Sequence, residues 1–317
     1  MKRTIAVGRI ACAPGRKVSG LLDVPGSDAR MPVTVVNGSD EGPTLLITAG
    51  IHGGEYPSIE AAIRLSLELE PAEMSGQIIL LPLISPQAFH ARQQYVLPAD
   101  GKNVNRQFPG QAIGTVSERI AHTVVVQAVS QADAWIDMHG GDIHEALVPV
   151  VGYLEEGGPS VRDRARAMCE VFGIEHVMHP KDLPGTTFKT AVALGIPCII
   201  AEAGQCGQLD VESTERLVRG CVNVARHLHI LPGAPEPGVA LTVFRDYPWV
   251  RAEHTGCWYP AVRVGAMVQK GQMVGTIRDY FGTLVSEYSA PADGMVLLLA
   301  TSLAMNAGDP LFGLGVA

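Results

Sequence analysis

Three short apolar runs in this 317-residue chain end in the same way, in a polar side chain set beside glycine. Thr44-Leu45-Leu46-Ile47-Thr48-Ala49 runs into Gly50-Ile51-His52-Gly53-Gly54-Glu55. Ala134-Trp135-Ile136-Asp137-Met138 delivers His139 into Gly140-Gly141, and Ile196-Pro197-Cys198-Ile199-Ile200-Ala201 delivers Glu202 into Ala203-Gly204. Continuous apolar runs of this length read as strands buried on both faces. An open α/β sheet built from them binds its ligands at the carboxyl ends of its strands. The chain is therefore expected to fold as an α/β protein with its chemistry on one sheet edge.

The residue types at those ends suit a divalent cation. His52 and Glu55 supply nitrogen and oxygen donors three residues apart, and His139 offers a third from another strand end. Three protein ligands with a fourth position free is the pattern of catalytic zinc, whereas structural zinc is closed by four ligands rich in Cys. The six cysteines (12, 169, 198, 206, 221 and 257) form no CxxC pair. Asp137 lies two residues before His139, on the same strand face, where it can accept the second ring N–H of a ligand histidine. Glu202 is placed to act as the general base that activates water and later protonates a leaving amine; Glu145 is the next acid in line. In Asp100-Gly101-Lys102-Asn103-Val104-Asn105-Arg106-Gln107-Phe108-Pro109-Gly110, Asn105 and Arg106 suit bidentate capture of a carboxylate.

Taken in this order and at these distances, HGGE, NxNRxFPG, DMHG and ExG resemble the succinylglutamate desuccinylase/aspartoacylase family, zinc deacylases related in fold to zinc carboxypeptidases. The resemblance runs from about residue 32 to about residue 230. It implies zinc, one per chain, on His52, Glu55 and His139, with Asn105 and Arg106 on the substrate carboxylate and Glu202 as general base. An upstream arginine polarises the scissile carbonyl in that family, and Arg92 is the nearest candidate here. The implied activity is hydrolysis of the amide of a small N-acyl amino acid. A carboxypeptidase acting on short peptides uses the same metal set and clamp. A non-catalytic metal-binding protein uses the metal set alone and has no need of Glu202.

Composition is consistent with such an enzyme. With 47% hydrophobic residues the chain can bury a large core, and a net charge of -8 without long basic runs argues against nucleic acid or anionic membrane partners. The N-terminal apolar stretch is broken by Gly8 and Arg9, too short for a secretory signal, and no run approaches a membrane span, so a cytoplasmic protein with free thiols is expected. A homo-oligomer is compatible with all of this.

A Pro/Gly-rich segment, residues 231–238, divides the chain into a catalytic α/β domain (1–232), a carboxypeptidase-like mixed sheet flanked by helices, and a smaller all-β domain (239–317). Strands are expected at 44–49, 77–83, 134–138, 146–153 and 198–201, and helices at 58–68, 116–130, 161–172 and 211–229. The first 40 residues read as short strands and turns on the sheet edge. The last 80 read as short strands joined by Gly turns, resembling the barrel-sandwich of biotinyl and lipoyl domains, without a lysine in a tight hairpin that would make a swinging arm. In the family such a domain narrows the active-site entrance, with Tyr280, Tyr288 and Glu253 as candidate rim residues. His144 is read as a loop residue, His176 and His179 as surface residues at a strand end, Cys206 as a spectator thiol and Cys198 as core.

Overall fold

The computed structural model describes residues 3–180 and 184–317. A hairpin of β1 (Ile5–Val7) and β2 (Ile10–Cys12) leads into β3 (Arg16–Asp23), β4 (Arg30–Asn37), β5 (Asp40–Thr48), α1 (Tyr56–Glu68) and β6 (Ser75–Leu81). Then come α2 (Pro86–Ala91), α3 (Val116–Gln127), β7 (Ala134–His139), β8 (Glu145–Leu147), β9 (Val150–Gly152), α4 (Pro159–Phe172) and β10 (His176–Met178). After these follow α5 (Thr187–Ala193), β11 (Cys198–Glu202), α6 (Val211–His227) and β12 (Thr242–Phe244). Nine of these strands form one mixed sheet in the order β12-β10-β9-β11-β7-β5-β6-β4-β3. Its centre is the parallel set β11, β7, β5 and β6, and these strands are buried on both faces as their unbroken apolar runs require.

Alternate side chains feed two cores. Leu46, Trp135, Cys198 and Ile200 face a core shared with α3 and α5. Leu45, Ile47, Ile136, Met138, Ile199 and Ala201 face the other, covered by α1, α4 and α6. Helix starts are secured locally: the Glu118 carboxylate accepts from the Thr115 backbone N–H at 2.7 Å ahead of α3, and Asp210 caps α6 by accepting from the backbone N–H groups of Glu212 and Ser213.

Two expectations are corrected here. The run 146–153 is two strands, because Pro149 has no N–H to give a ladder and breaks it. β8 leaves the sheet to pair with a strand of the C-terminal unit, and β9 stays. The boundary at the Pro/Gly segment is also less clean than the sequence suggests. β12 lies beyond that segment, yet it pairs in parallel with β10, His176 against Thr242, as the edge of the main sheet.

The C-terminal unit comprises β13 (Trp249–Arg251), β14 (Gly256–Pro260), β15 (Met267–Val268), β16 (Met273–Arg278), β17 (Leu284–Ser289), β18 (Gly294–Ala300), β19 (Ala304–Met305) and β20 (Pro310–Gly315). These form two antiparallel sheets, β13-β20-β18-β15 and β17-β16-β14-β19, enclosing a core that includes Trp258, Ile277, Leu311 and Phe312. β8 joins the first sheet, with Leu147 opposite Leu298 and Glu145 opposite Ala300. The two parts of the chain are thus stitched by backbone hydrogen bonds right beside the sheet edge that carries the polar strand ends. No helix among the described residues is long and apolar enough to cross a membrane.

Candidate active site

Strand register aligns the polar ends. Thr48 of β5 lies opposite Asp137 of β7, and His139 of β7 opposite Glu202 of β11. The chain leaves β5 through Gly50, whose φ of 61° is left-handed backbone that glycine takes without strain. That turn swings His52 and Glu55 back over the end of β7. At Gly54 a Cβ would lie 2.0 Å from the Asp142 carboxylate, so the approach of the 142–145 segment to this turn requires glycine.

His52, Glu55 and His139 come together with their donor atoms all within 4.8 Å of one another. His52 Nε2 lies 3.2 Å from the Asn103 side-chain oxygen; His139 Nε2 lies 3.0 Å from Asp137 Oδ2 and 3.5 Å from the Asn105 side-chain nitrogen, so each ring has an oxygen placed to accept an Nε2–H. Both Nδ1 atoms face Glu55, at 2.6 Å from Oε1 for His52 and 3.0 Å from Oε2 for His139. The second contact has ion-pair distance without hydrogen-bond alignment, and Glu55 Oε2 is buried with no hydrogen-bond partner. Imidazole nitrogens and carboxylate oxygens this close need positive charge between them. A proton meets that need in part; a divalent cation taking both nitrogens and the carboxylate meets it fully and suits this N/O donor set. The same electrostatics appear in the titrations. Burial disfavours charge on all three groups, yet the carboxylate holds both imidazoles above the usual histidine range, and the imidazoles hold Glu55 down at about 2.

Asp137 is fully buried and well supported. Thr48 Oγ1 donates to its Oδ1 at 2.6 Å, itself receiving the Trp135 indole N–H at 2.7 Å, and Thr187 Oγ1 donates to Oδ2 at 2.6 Å. A buried, orienting carboxylate needs such donors when water is excluded.

A cavity of about 560 Å³ opens above this group, lined by His52, Glu55, His139, Glu202, Asn103, Asn105 and Arg106. Glu202 looks into it from the end of β11, and burial lifts its carboxyl to about 7, with His139 pulling down and Glu55 pushing up. Asn105 is buried, its side-chain oxygen accepting the Thr187 backbone N–H at 3.0 Å. Arg106 is reachable by solvent, and its guanidinium donates to the Asn105 carbonyl at 2.6 Å.

Arg92 is not brought to this cavity. It ends α2 in left-handed backbone (φ 51°), its N–H bonded to the carbonyls of Ala88 and Phe89, and it is exposed outside the lining. Tyr95, three residues on, lines the wall instead, with its hydroxyl hydrogen-bonded to Glu145 and its backbone N–H on Asp142 at 2.9 Å. Glu145 also lines the cavity, and burial raises it to about 7.

The expected rim is likewise displaced. Tyr280 is 81% exposed and absent from the lining, while Tyr288 is buried in the C-terminal core with its hydroxyl accepting the Glu253 N–H. The wall from that unit is built by Tyr247, Trp249, Arg251, Leu297, Leu298 and Pro310. His144 is exposed and Cys198 is core, as expected, and Cys206 is half-buried outside the lining. His176, read as a surface residue, is buried and stacked on Phe244 because β12 covers it, and His179 is half-buried in the cavity wall.

Residues 41–228 match the profile of the succinylglutamate desuccinylase/aspartoacylase catalytic domain. The chain belongs to that family. It is 30% identical over 289 residues to the N-alpha-acetyl-L-2,4-diaminobutyric acid deacetylase of Halomonas elongata, covering 89% of this chain and 84% of the relative. The product-bound ectoine utilization protein EutE (DoeB) of Ruegeria pomeroyi superimposes with a TM-score of 0.89 at 25% identity, over 99% of this chain and 98% of that one. A succinylglutamate desuccinylase/aspartoacylase structure from Rhodobacter sphaeroides gives 0.86 at 29% identity, over 97% and 98%. The two solved structures match this fold along almost the whole chain, the C-terminal β unit included.

Proposed function

We propose that the chain is a zinc-dependent deacylase of small N-acyl amino acids. The observation that carries this reading is the convergence of His52, Glu55 and His139 in one cavity with a free acid, Glu202, and a carboxylate clamp, Asn105 and Arg106. Zinc held by the two Nδ1 atoms and the Glu55 carboxylate would supply a Lewis acid for the acyl carbonyl and lower the pKa of water. Arg106 and Asn105 hold the substrate carboxylate, fixing the amide over the end of β7. Glu202, ionised, takes a proton from the water that adds to the acyl carbon. It then delivers that proton to the nitrogen as the C–N bond breaks, releasing a carboxylate and a free amino acid. Tyr247, Trp249 and the leucines of β18 wall the reacting centre from bulk water, which strengthens every charge interaction inside.

The same wall favours a deacylase over a carboxypeptidase, which needs an open groove for the rest of its peptide. Activity is expected on N-acetyl or N-succinyl amino acids and little on tripeptides; comparable kcat/KM on both would reverse this assignment. Arg106→Ala should raise KM, removing about 2–4 kcal/mol of transition-state binding with the charge-assisted pair. An unchanged KM would move the carboxylate to Arg251, the other guanidinium in the lining.

Glu145 narrows the substrate class. Its carboxylate accepts from the Tyr95 hydroxyl and lies in a lining that also carries Leu147, Val150, Leu297 and Leu298, where a negative charge is costly without a partner of opposite sign. An acyl amino acid bearing a second, unacylated ammonium would supply that partner, as does the diaminobutyric acid in the name of the Halomonas elongata relative. Glu145→Gln is expected to cut kcat/KM for acetyl-diaminobutyrate by about tenfold or more while changing acetylaspartate little or raising it. Equal losses on both substrates would show that Glu145 does not read the side chain.

A further inference from the structure

Thr187 is not among the residues lining the cavity, yet it bonds to the support of both halves of the site. It is fully buried at the first position of α5. Its hydroxyl donates to Asp137 Oδ2 at 2.6 Å, the same oxygen that faces His139 Nε2 at 3.0 Å. Its backbone N–H donates to Asn105 Oδ1 at 3.0 Å, beside Arg106. One residue, 50 positions from Asp137 and 82 from Asn105, therefore ties β7 to the clamp loop.

We propose that Thr187 is a positioning residue: its hydroxyl fixes the Asp137 carboxylate that orients His139, and its N–H separately seats Asn105 in the substrate clamp. With the hydroxyl in place, Asp137 Oδ1 is held by Thr48 and Oδ2 by Thr187, so the carboxylate cannot turn. His139 then keeps Nε2 on Asp137 and Nδ1 on Glu55. Without the hydroxyl, one anchor of the acid is gone and the ring can turn or change tautomer. The Asn105 bond survives that loss, because it uses backbone.

The two arms can be separated by substitution. Thr187→Val keeps the branched shape and the N–H but has no hydroxyl, whereas Thr187→Ser keeps the hydroxyl. Zinc affinity of the full chain is measured by chelator competition, beside kcat and KM for an N-acyl amino acid. The metal readout rests on the zinc-deacylase reading above. Thr187→Val is expected to bind zinc about 10- to 100-fold more weakly and to lose kcat, with KM within about twofold and Thr187→Ser close to wild type. Wild-type zinc affinity in the Val variant, or a Ser variant as impaired as Val, would overturn the proposal. A wild-type chain that binds no zinc would refute the metal reading by itself. The proposal is then decided on the metal-free chain by the His139 Nε2–H proton resonance. That resonance should be protected from exchange in wild type and Ser and lost in Val; its persistence in Val would overturn the proposal.

Discussion

Glu202→Gln is expected to leave zinc bound and to lower kcat by at least ~10²-fold, the usual loss when a general base is removed. The amide keeps the size of the carboxylate but cannot take a proton from water or return one to the amine. Glu202 ends β11 directly opposite His139, so its place is set by sheet pairing rather than by a loop, and the substitution should not disturb the neighbouring ligands. The pH profile adds a second readout. Burial raises the Glu202 carboxyl to about 7, and only its ionised form is a base. Activity should therefore fall as pH drops through that pKa and level off above it; a bound cation, favouring the ionised form, shifts this limb to lower pH. The acid limb should vanish from the residual activity of the Gln variant. A variant with wild-type kcat would pass the role to Glu145, the other acid in the cavity that burial lifts to about 7.

The strand ends were readable because a parallel sheet imposes a simple rule. Buried strands need unbroken apolar runs, and the residues just past them all emerge on one edge, so His52, His139 and Glu202 announce a shared site before any contact is known. Asp137 was readable for a similar reason, since a period of two puts it on the face of His139. What stayed hidden depends on contacts between distant segments. Thr187 meets Asp137 across 50 residues, and Tyr95 meets Glu145 across 50, with no local pattern to mark either. Arg92 misled because nothing in the run around it announces that α2 stops there with its cap residue facing solvent. Pro149 did carry a signal, a missing N–H inside an apparent strand, and it marks the place where the chain crosses to the C-terminal unit. The cavity wall from that unit could not be read, because Tyr247 and Trp249 look no different in sequence from the exposed Tyr280 and Phe281.

Zinc held by His52, His139 and the Glu55 carboxylate is proposed to be what turnover depends on. Removing both imidazoles leaves a lone carboxylate, which cannot retain a catalytic zinc against water, so the His52→Ala/His139→Ala double variant should be folded, zinc-free and inactive. The most direct measurement is elemental zinc per chain together with amine release from an N-acyl amino acid. It is made on wild type, on wild type stripped by chelator and reloaded with zinc, and on the double variant. The expected result is about one zinc per wild-type chain, loss of activity with the metal, recovery on reloading, and neither metal nor turnover in the double variant. Full zinc content in the double variant, or undiminished turnover by stripped wild type, would contradict it.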